Sequence, residues 1–270
     1  MQTLHVNGYD MAYLALGQGT PLVCVHGTLG DFRTWNAVLG PLSLQHRVIA
    51  VSLRHFFPER WDGSGDDYRI AQHVDDLIAF IEQIEPRPVN LMGHSRGGHI
   101  AFRAAQQRPD LLHKLVLAEP GGHLDSSLDP AAHDMSNPAA RMHIYAEKIR
   151  AGNVDSAMQD FVDLVDGDGA WARLGEPARQ QMRDNAFTLI AQAQEGRTPY
   201  SRSDAEAIST PTLFIGGADT RGGLAANHRA LAPHVRGATT AMISGARHWM
   251  FDAAPQAYSD VVLDFLKRQD

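Results

Sequence analysis

One cysteine in 270 residues leaves this chain unable to build an internal disulfide. Cys24 lies inside the apolar run Pro21-Leu22-Val23-Cys24-Val25. A lone thiol in that setting reads as a buried core side chain in a reducing compartment. A surplus of positive charge is missing too. The net charge is −7 and there is no basic run, so nothing draws the chain to nucleic acid or to an anionic membrane surface. No apolar window approaches the length of a membrane span. Residues 1–20 have neither a basic start nor a long apolar stretch, so no signal peptide is expected and cytoplasm is the default location. The 14 histidines and the single cysteine show no metal-ligand spacing, and no cofactor is expected. Internal repeats and low-complexity segments are lacking as well.

What is present is an ordinary globular composition, 44% hydrophobic and 20% charged, in a chain long enough to bury a substantial core. Short apolar runs alternate with helical patterns. Two strands about Asn7-Gly8 come first, then runs at Leu22–Val25 and Val48–Val51. Ile70, Val74, Leu77, Ile78, Ile81 and Ile84 recur at helical spacing before the strand Val89–Met92. Further strands are read at Lys114–Ala118, Thr212–Ile215 and Thr239–Ile243, and a last helix over residues 255–268. Between the strands ending at 118 and beginning at 212 the pattern changes. From about Asp125 to Asp204 there are no β-branched runs, and three amphipathic helices are expected over 138–152, 154–167 and 176–196. The fold class expected is α/β, with a mostly parallel sheet, helices on both faces and the site at the strands' carboxyl ends. Residues 1–124 and 205–270 would form the core, and 125–204 a helical cap inserted before the penultimate strand.

The densest chemical signal is Gly93-His94-Ser95-Arg96-Gly97, lying between a strand pattern and the helix formers that follow. A Gly-x-Ser-x-Gly in that context matches a nucleophile elbow, whose flanking glycines let strand and helix close on each other. Two further motifs stand in order with it: His26-Gly27-Thr28-Leu29-Gly30 after an early strand, and Gly245-Ala246-Arg247-His248 after the last. Along nearly its whole length the chain resembles the α/β-hydrolase superfamily, in its capped, serine-nucleophile esterase and lactonase branch. The resemblance implies Ser95 as nucleophile and His248 as base. It further implies an oxyanion hole formed by the backbone N–H groups of Arg96 and Thr28. The Arg96 side chain reads as reaching solvent or pairing with a carboxylate. His94 reads as packing within the turn, and His73, His113 and His234 as surface or structural residues.

Two carboxylates compete for the third catalytic place. Asp219 fills the later Gly-x-x-Asp slot when the loop is counted from Gly216, whereas counting from Gly217 puts Thr220 there. Glu119 ends the strand after the nucleophile's, where an unpartnered carboxylate would be costly. Some members, zearalenone-type lactonases among them, are similar in placing a glutamate here, and Glu119 is the preferred acid. Its structural alternative is a buried ion pair, with Arg54 for example. Arg54-His55-Phe56-Phe57 replaces the glycine-rich loop usual in the family and reads as lining the pocket floor or filling the cap interface, the second being preferred. Met135, Met142, Ile144, Tyr145, Phe161, Trp171 and Phe187 read mainly as cap core, a few of them facing an apolar pocket.

The expected activity is hydrolysis of a small, largely apolar carboxylic ester or lactone without a cofactor. Cleavage of C–C bonds in diketones is the neighbouring alternative, and a ligand receptor on the same fold is the alternative from another class. Serine at position 95 disfavours the aspartate-nucleophile dehalogenases and epoxide hydrolases. A small-molecule substrate is the one partner implied; no nucleic acid or membrane is, and oligomeric state has no marker.

Overall fold

The computed structural model describes residues 1–65, 67–130 and 138–268. The sheet is built from eight strands: β1 (Gln2–Val6), β2 (Tyr9–Leu16), β3 (Pro21–Val25), β4 (Arg47–Val51), β5 (Val89–His94), β6 (Leu112–Ala118), β7 (Thr212–Gly217) and β8 (Thr239–Ile243). Their order is β1-β2-β4-β3-β5-β6-β7-β8. β2 runs antiparallel to β1 and β4, and all later neighbours are parallel. The nucleophile's strand β5 therefore sits mid-sheet between β3 and β6.

The strands alternate along their length, and alternation sorts residues onto two faces. Val23, Ile49, Leu91, Leu115 and Phe214 pack on one side with helices α2 (Ile70–Glu82) and α3 (Arg96–Gln107). Cys24, Val48, Met92, Val116 and Ile215 pack on the other with α1 (Asn36–Ser43) and two carboxyl-terminal helices. Both faces are apolar because both are covered, which is why these strands read as continuous runs. Each fully buried Val, Leu or Ile contributes about 1.5–3 kcal/mol. Cys24 is a free, fully buried thiol, and burial pushes its pKa up.

Between β6 and β7 the described residues are helical: α4 (Pro138–Arg150), α5 (Val154–Asp166), α6 (Ala170–Arg173), α7 (Glu176–Asp184), α8 (Thr188–Gln192) and α9 (Arg202–Glu206). They build their own cluster around Tyr145, Phe161, Trp171, Met182 and Leu189, joined by Leu29 and Trp249 from the sheet side. The third expected helix is in fact two, α7 and α8, with Asn185 at the break. Its buried amide donates to Asp31 Oδ2 at 2.8 Å and accepts from the Phe57 N–H at 2.7 Å. Those bonds pull the side chain out of the helical path towards the sheet's loops. Ala191 and Tyr200, inside the range expected for the cap, pack into the main core. Ile144 and Phe187 are exposed rather than interior, and Met135 lies outside the described residues.

Past β7 come α10 (Gly222–Leu231), which the sequence reading did not assign, then β8, the short α11 (Met250–Ala253) and α12 (Pro255–Lys267). Among the described residues no helix is long and apolar enough to cross a membrane.

Candidate active site

Ser95 occupies the turn between β5 and α3 at φ 53 and ψ −117, a left-handed conformation that a residue with a Cβ adopts only when its surroundings impose it. They do so with three backbone hydrogen bonds. The Ser95 N–H donates to Ala118 O at 3.0 Å, and Ser95 O accepts from the N–H groups of His99 and Gly121 at 3.0 and 2.8 Å. Gly97 lets α3 approach: a Cβ there would stand 2.3 Å from Val25 O. Arg96 opens α3, so its backbone N–H has no acceptor within the helix.

His248 lies in the loop after β8, 3% exposed. Its Nδ1 is 2.7 Å from Glu119 Oε2. Its backbone N–H donates to Asp166 Oδ1 at 3.1 Å, and its carbonyl accepts from His94 Nε2 at 3.0 Å. The two imidazole rings lie 4.3 Å apart between centroids. With Nδ1–H directed at the carboxylate, Nε2 is left as the basic nitrogen. Burial and the adjacent His248 drive the pKa of His94 well below the usual histidine value, so it stays neutral.

Glu119 ends β6 at φ 42, and its backbone N–H donates to Ile215 O at 3.0 Å. Oε1 accepts the Gly217 N–H at 2.8 Å, so both carboxylate oxygens are engaged. Gly217 must be glycine here, since a Cβ would lie 2.4 Å from Arg247 O in the histidine loop. Burial raises the pKa of Glu119, but His248, the Thr220 hydroxyl nearby and the Gly217 N–H outweigh it and hold the carboxyl below its ordinary value. Glu119 is not paired with Arg54, whose guanidinium binds the buried Asp76 at 2.7 Å and also Asp67. Asp219, the other candidate, is exposed in the loop after β7, where its backbone N–H donates to Ala246 O at 2.9 Å. The contact to His248 Nδ1 is made by Glu119.

Thr28, Ser95 and His248 line one cavity of about 390 Å³. Met142, Phe161 and Val165 from α4 and α5, with Leu224 and Trp249, supply its apolar wall. The Thr28 loop is held by His26, whose Nδ1 bonds Gly27 O at 2.8 Å while Nε2 accepts the Leu53 N–H at 3.1 Å. Burial lowers the pKa of His26 to about 4, which keeps that neutral arrangement. The Arg96 side chain is fully buried and binds both oxygens of Glu195, with Tyr68 beneath the guanidinium at 4.7 Å. His73 is buried too and accepts from Arg96 Nη2 at 3.0 Å. Sequence reasoning missed Gln192, Glu195 and Arg197, which also line the cavity, and Asp166, which holds the His248 backbone. Among the described residues no cluster of three or more His, Cys, Asp or Glu side chains is placed to hold a metal.

A mid-sheet serine on a strained strand-to-helix turn thus shares a cavity with a histidine whose ring is paired to a buried carboxylate. The model of the alpha/beta hydrolase family matches residues 22–261, and the chain belongs to that family. Of the curated proteins, the sn-1-specific diacylglycerol lipase of Mus musculus is 25% identical over 262 residues, covering 91% of this chain and 80% of that protein. A soluble epoxide hydrolase of Corynebacterium is 32% identical over 155 residues, 56% of this chain and 51% of the other. An uncharacterised Mycobacterium tuberculosis protein is 30% identical over 122 residues, 45% of this chain but 35% of that relative's length. Of the solved structures, an esterase from Exiguobacterium antarcticum superposes with a TM-score of 0.83 over 99% of this chain and 100% of that one, at 18% identity. The enol-lactonase from Burkholderia xenovorans gives 0.79 over 98% and 100%, at 20% identity. At such identities the likeness is one of fold.

Proposed function

We propose that the protein is a serine hydrolase acting on a small carboxylic ester or lactone, with Ser95, His248 and Glu119 as its catalytic triad. The observation that carries this reading is the 2.7 Å contact between His248 Nδ1 and Glu119 Oε2, beside a cavity that Ser95 and His248 both line. Ser95 Oγ attacks the carbonyl carbon while His248 Nε2 takes its proton. The imidazolium so formed is stabilised by Glu119, which remains ionised. The oxyanion is met by the backbone N–H groups of Arg96 and Thr28, fixed donors that need no rearrangement as charge develops. His248 then returns its proton to the leaving oxygen, and water repeats the sequence on the acyl-enzyme. Asp219 has no part in this scheme. Position 95 holds a hydroxyl and not a carboxylate, which disfavours a mechanism that starts from an aspartate nucleophile. The helical segment of residues 125–204 acts as a cap, since Met142, Phe161, Val165 and Gln192 from it wall the cavity. A fully buried free thiol at Cys24 suits a reducing compartment such as the cytoplasm.

Multiple turnover of p-nitrophenyl butyrate tests the reading. The native protein should turn over many equivalents, and Ser95→Ala and His248→Ala should each lose activity by similar large factors, because nucleophile and base act as one unit. A single slow turnover would favour a receptor, and retained turnover in Ser95→Ala would overturn the nucleophile.

A further inference from the structure

The helical segment ends in a polar group that the chemistry above leaves unused. Gln192 closes α8, and Glu195 and Arg197 follow within five residues; all three line the cavity shared by Ser95 and His248. Glu195, its side chain 2% exposed, is gripped from one side by both terminal nitrogens of Arg96 and from the other by Arg197 Nε at 2.7 Å. Despite burial, the charges of Arg96 and Arg197 bring its pKa down to about 2, so it is ionised at neutral pH. Two guanidinium groups against one carboxylate leave one positive charge in excess. Among the described residues Glu195 is the only carboxylate lining the cavity.

Gln192 shows where hydrogen-bonding capacity is left over. Its Oε1 accepts from Thr28 Oγ1 at 3.1 Å and from Arg197 Nη2 at 3.2 Å. Arginine can only donate, so that contact fixes which end of the amide is oxygen. The other end, Nε2, is buried and has no hydrogen-bond partner in the protein. A buried donor of this kind is costly unless an acceptor arrives. Arg197 Nη1 likewise makes no protein hydrogen bond among the described residues. Next to it, burial and the charge of Arg197 lower the pKa of His123, so it adds no second positive charge at neutral pH.

We infer that this end of the cavity, centred on Arg197 Nη1 and Gln192 Nε2, binds a carboxylate on the substrate. The inference rests on the hydrolytic reading and narrows it. The substrate is an ester or lactone of a dicarboxylic acid whose second carboxyl is free, its apolar middle lying against Phe161, Met142 and Trp249. Arg197 Nε and Nη2 are taken by Glu195 and Gln192, which leaves Nη1 and the amide Nε2 as one donor for each oxygen of a carboxylate, the first of them charged. One excess charge matches a monoanion.

The test compares p-nitrophenyl hemi-esters of succinate, glutarate and adipate with neutral p-nitrophenyl esters of equal chain length. For at least one length the native protein should favour the hemi-ester in kcat/KM by about tenfold to a hundredfold, the range of a charge-assisted hydrogen bond. Arg197→Gln should bring that ratio towards one, mainly through KM, and Arg197→Lys should restore part of it. Gln192→Leu should lower the ratio by a smaller factor. Equal proportional losses on both substrate types would mean that Arg197 is structural, and would overturn the inference. Binding of monomethyl glutarate to Ser95→Ala, with and without Arg197→Gln, gives a second readout that needs no turnover. It should be weakened at least about tenfold by the second change. Neutral esters turned over without any hemi-ester preference would sink the carboxylate site and leave the hydrolase standing. Absence of any ester turnover by the native protein would sink the hydrolase, and the binding of monomethyl glutarate would still decide the carboxylate site.

Discussion

Glu119 and Ser95 both hold left-handed backbone, at φ 42 and 53, and each ends its strand where the sheet's loops converge. Strain of this kind costs about 1–3 kcal/mol per residue and persists only where neighbours impose it, which is the usual condition at a reacting centre. The choice between Glu119 and Asp219 is the sharpest prediction at this scale. Glu119→Gln keeps the shape but loses the charge that orients the imidazole, and turnover should fall by about four orders of magnitude, as for an amide replacing the acid of a protease triad. Asp219→Asn, changed on an exposed loop, should cost less than about tenfold. Steady-state kinetics on the two variants decides between them, and a larger loss in Asp219→Asn would reverse the assignment.

The Arg96–Glu195–Arg197 group carries a stability prediction of its own. Glu195→Gln leaves two guanidinium groups facing a neutral partner, and breaking a buried pair in this way costs about 3–5 kcal/mol. The folded pKa of Glu195 is brought from an ordinary 4.5 to about 2. A depressed folded pKa means stabilisation present in full above the unfolded value and lost as pH falls through the folded one. The gap in Tm between native and variant should therefore be widest near neutrality and narrow between about pH 4.5 and 2. A gap that stays constant across that window would show that Glu195 acts by packing alone. This group was not legible in the sequence. Gln192, Glu195 and Arg197 follow no motif, and their meeting with Arg96 depends on the helical segment folding back across nearly one hundred residues. Ser95 and His248, by contrast, each stand in a motif whose order along the chain carries information.

At the scale of elements, what can be read is whatever burial writes into a short stretch. β3, β5 and β6 are covered on both faces and appear as apolar runs, and α2 shows its buried stripe at helical spacing. The split of α7 from α8 leaves no such trace, because it is forced by Asn185 bonding to Asp31 and Phe57 in distant loops. α10 hides for another reason: its opening Gly222-Gly223 reads as loop, and its apolar side is mostly alanine. The helical segment's aromatics also divide by role. Phe161 lines the cavity, so Phe161→Ala should change the ratio of bulky to short acyl esters. Trp171 is 8% exposed within the helical cluster and does not line the cavity. Trp171→Ala should instead lower stability by about 3–5 kcal/mol with that ratio kept. Denaturant melts and a two-substrate assay on both variants separate the roles; a shifted ratio in Trp171→Ala would contradict the division.

For the molecule as a whole, the sheet explains how residues 95, 119 and 248 come to the same end of it. β5 and β6 are neighbours, so Ser95 and Glu119 leave adjacent carboxyl ends. β8 lies at the sheet's edge, and its following loop returns across β7, where Gly217 admits the Arg247 backbone and also donates to Glu119. The helical segment touches this loop as well as walling the cavity, since Asp166 of α5 accepts the His248 N–H and its carbonyl accepts from Arg247. One segment thus both walls the cavity and holds the histidine loop. The measurement that bears most directly on the account is mass-spectrometric mapping of the native protein after treatment with a fluorophosphonate. The account predicts one adduct, on the peptide containing Ser95, formed at a rate that collapses in His248→Ala and Glu119→Gln but not in Asp219→Asn. An adduct on any other residue, or labelling of Ser95 at an undiminished rate in Glu119→Gln, would contradict it.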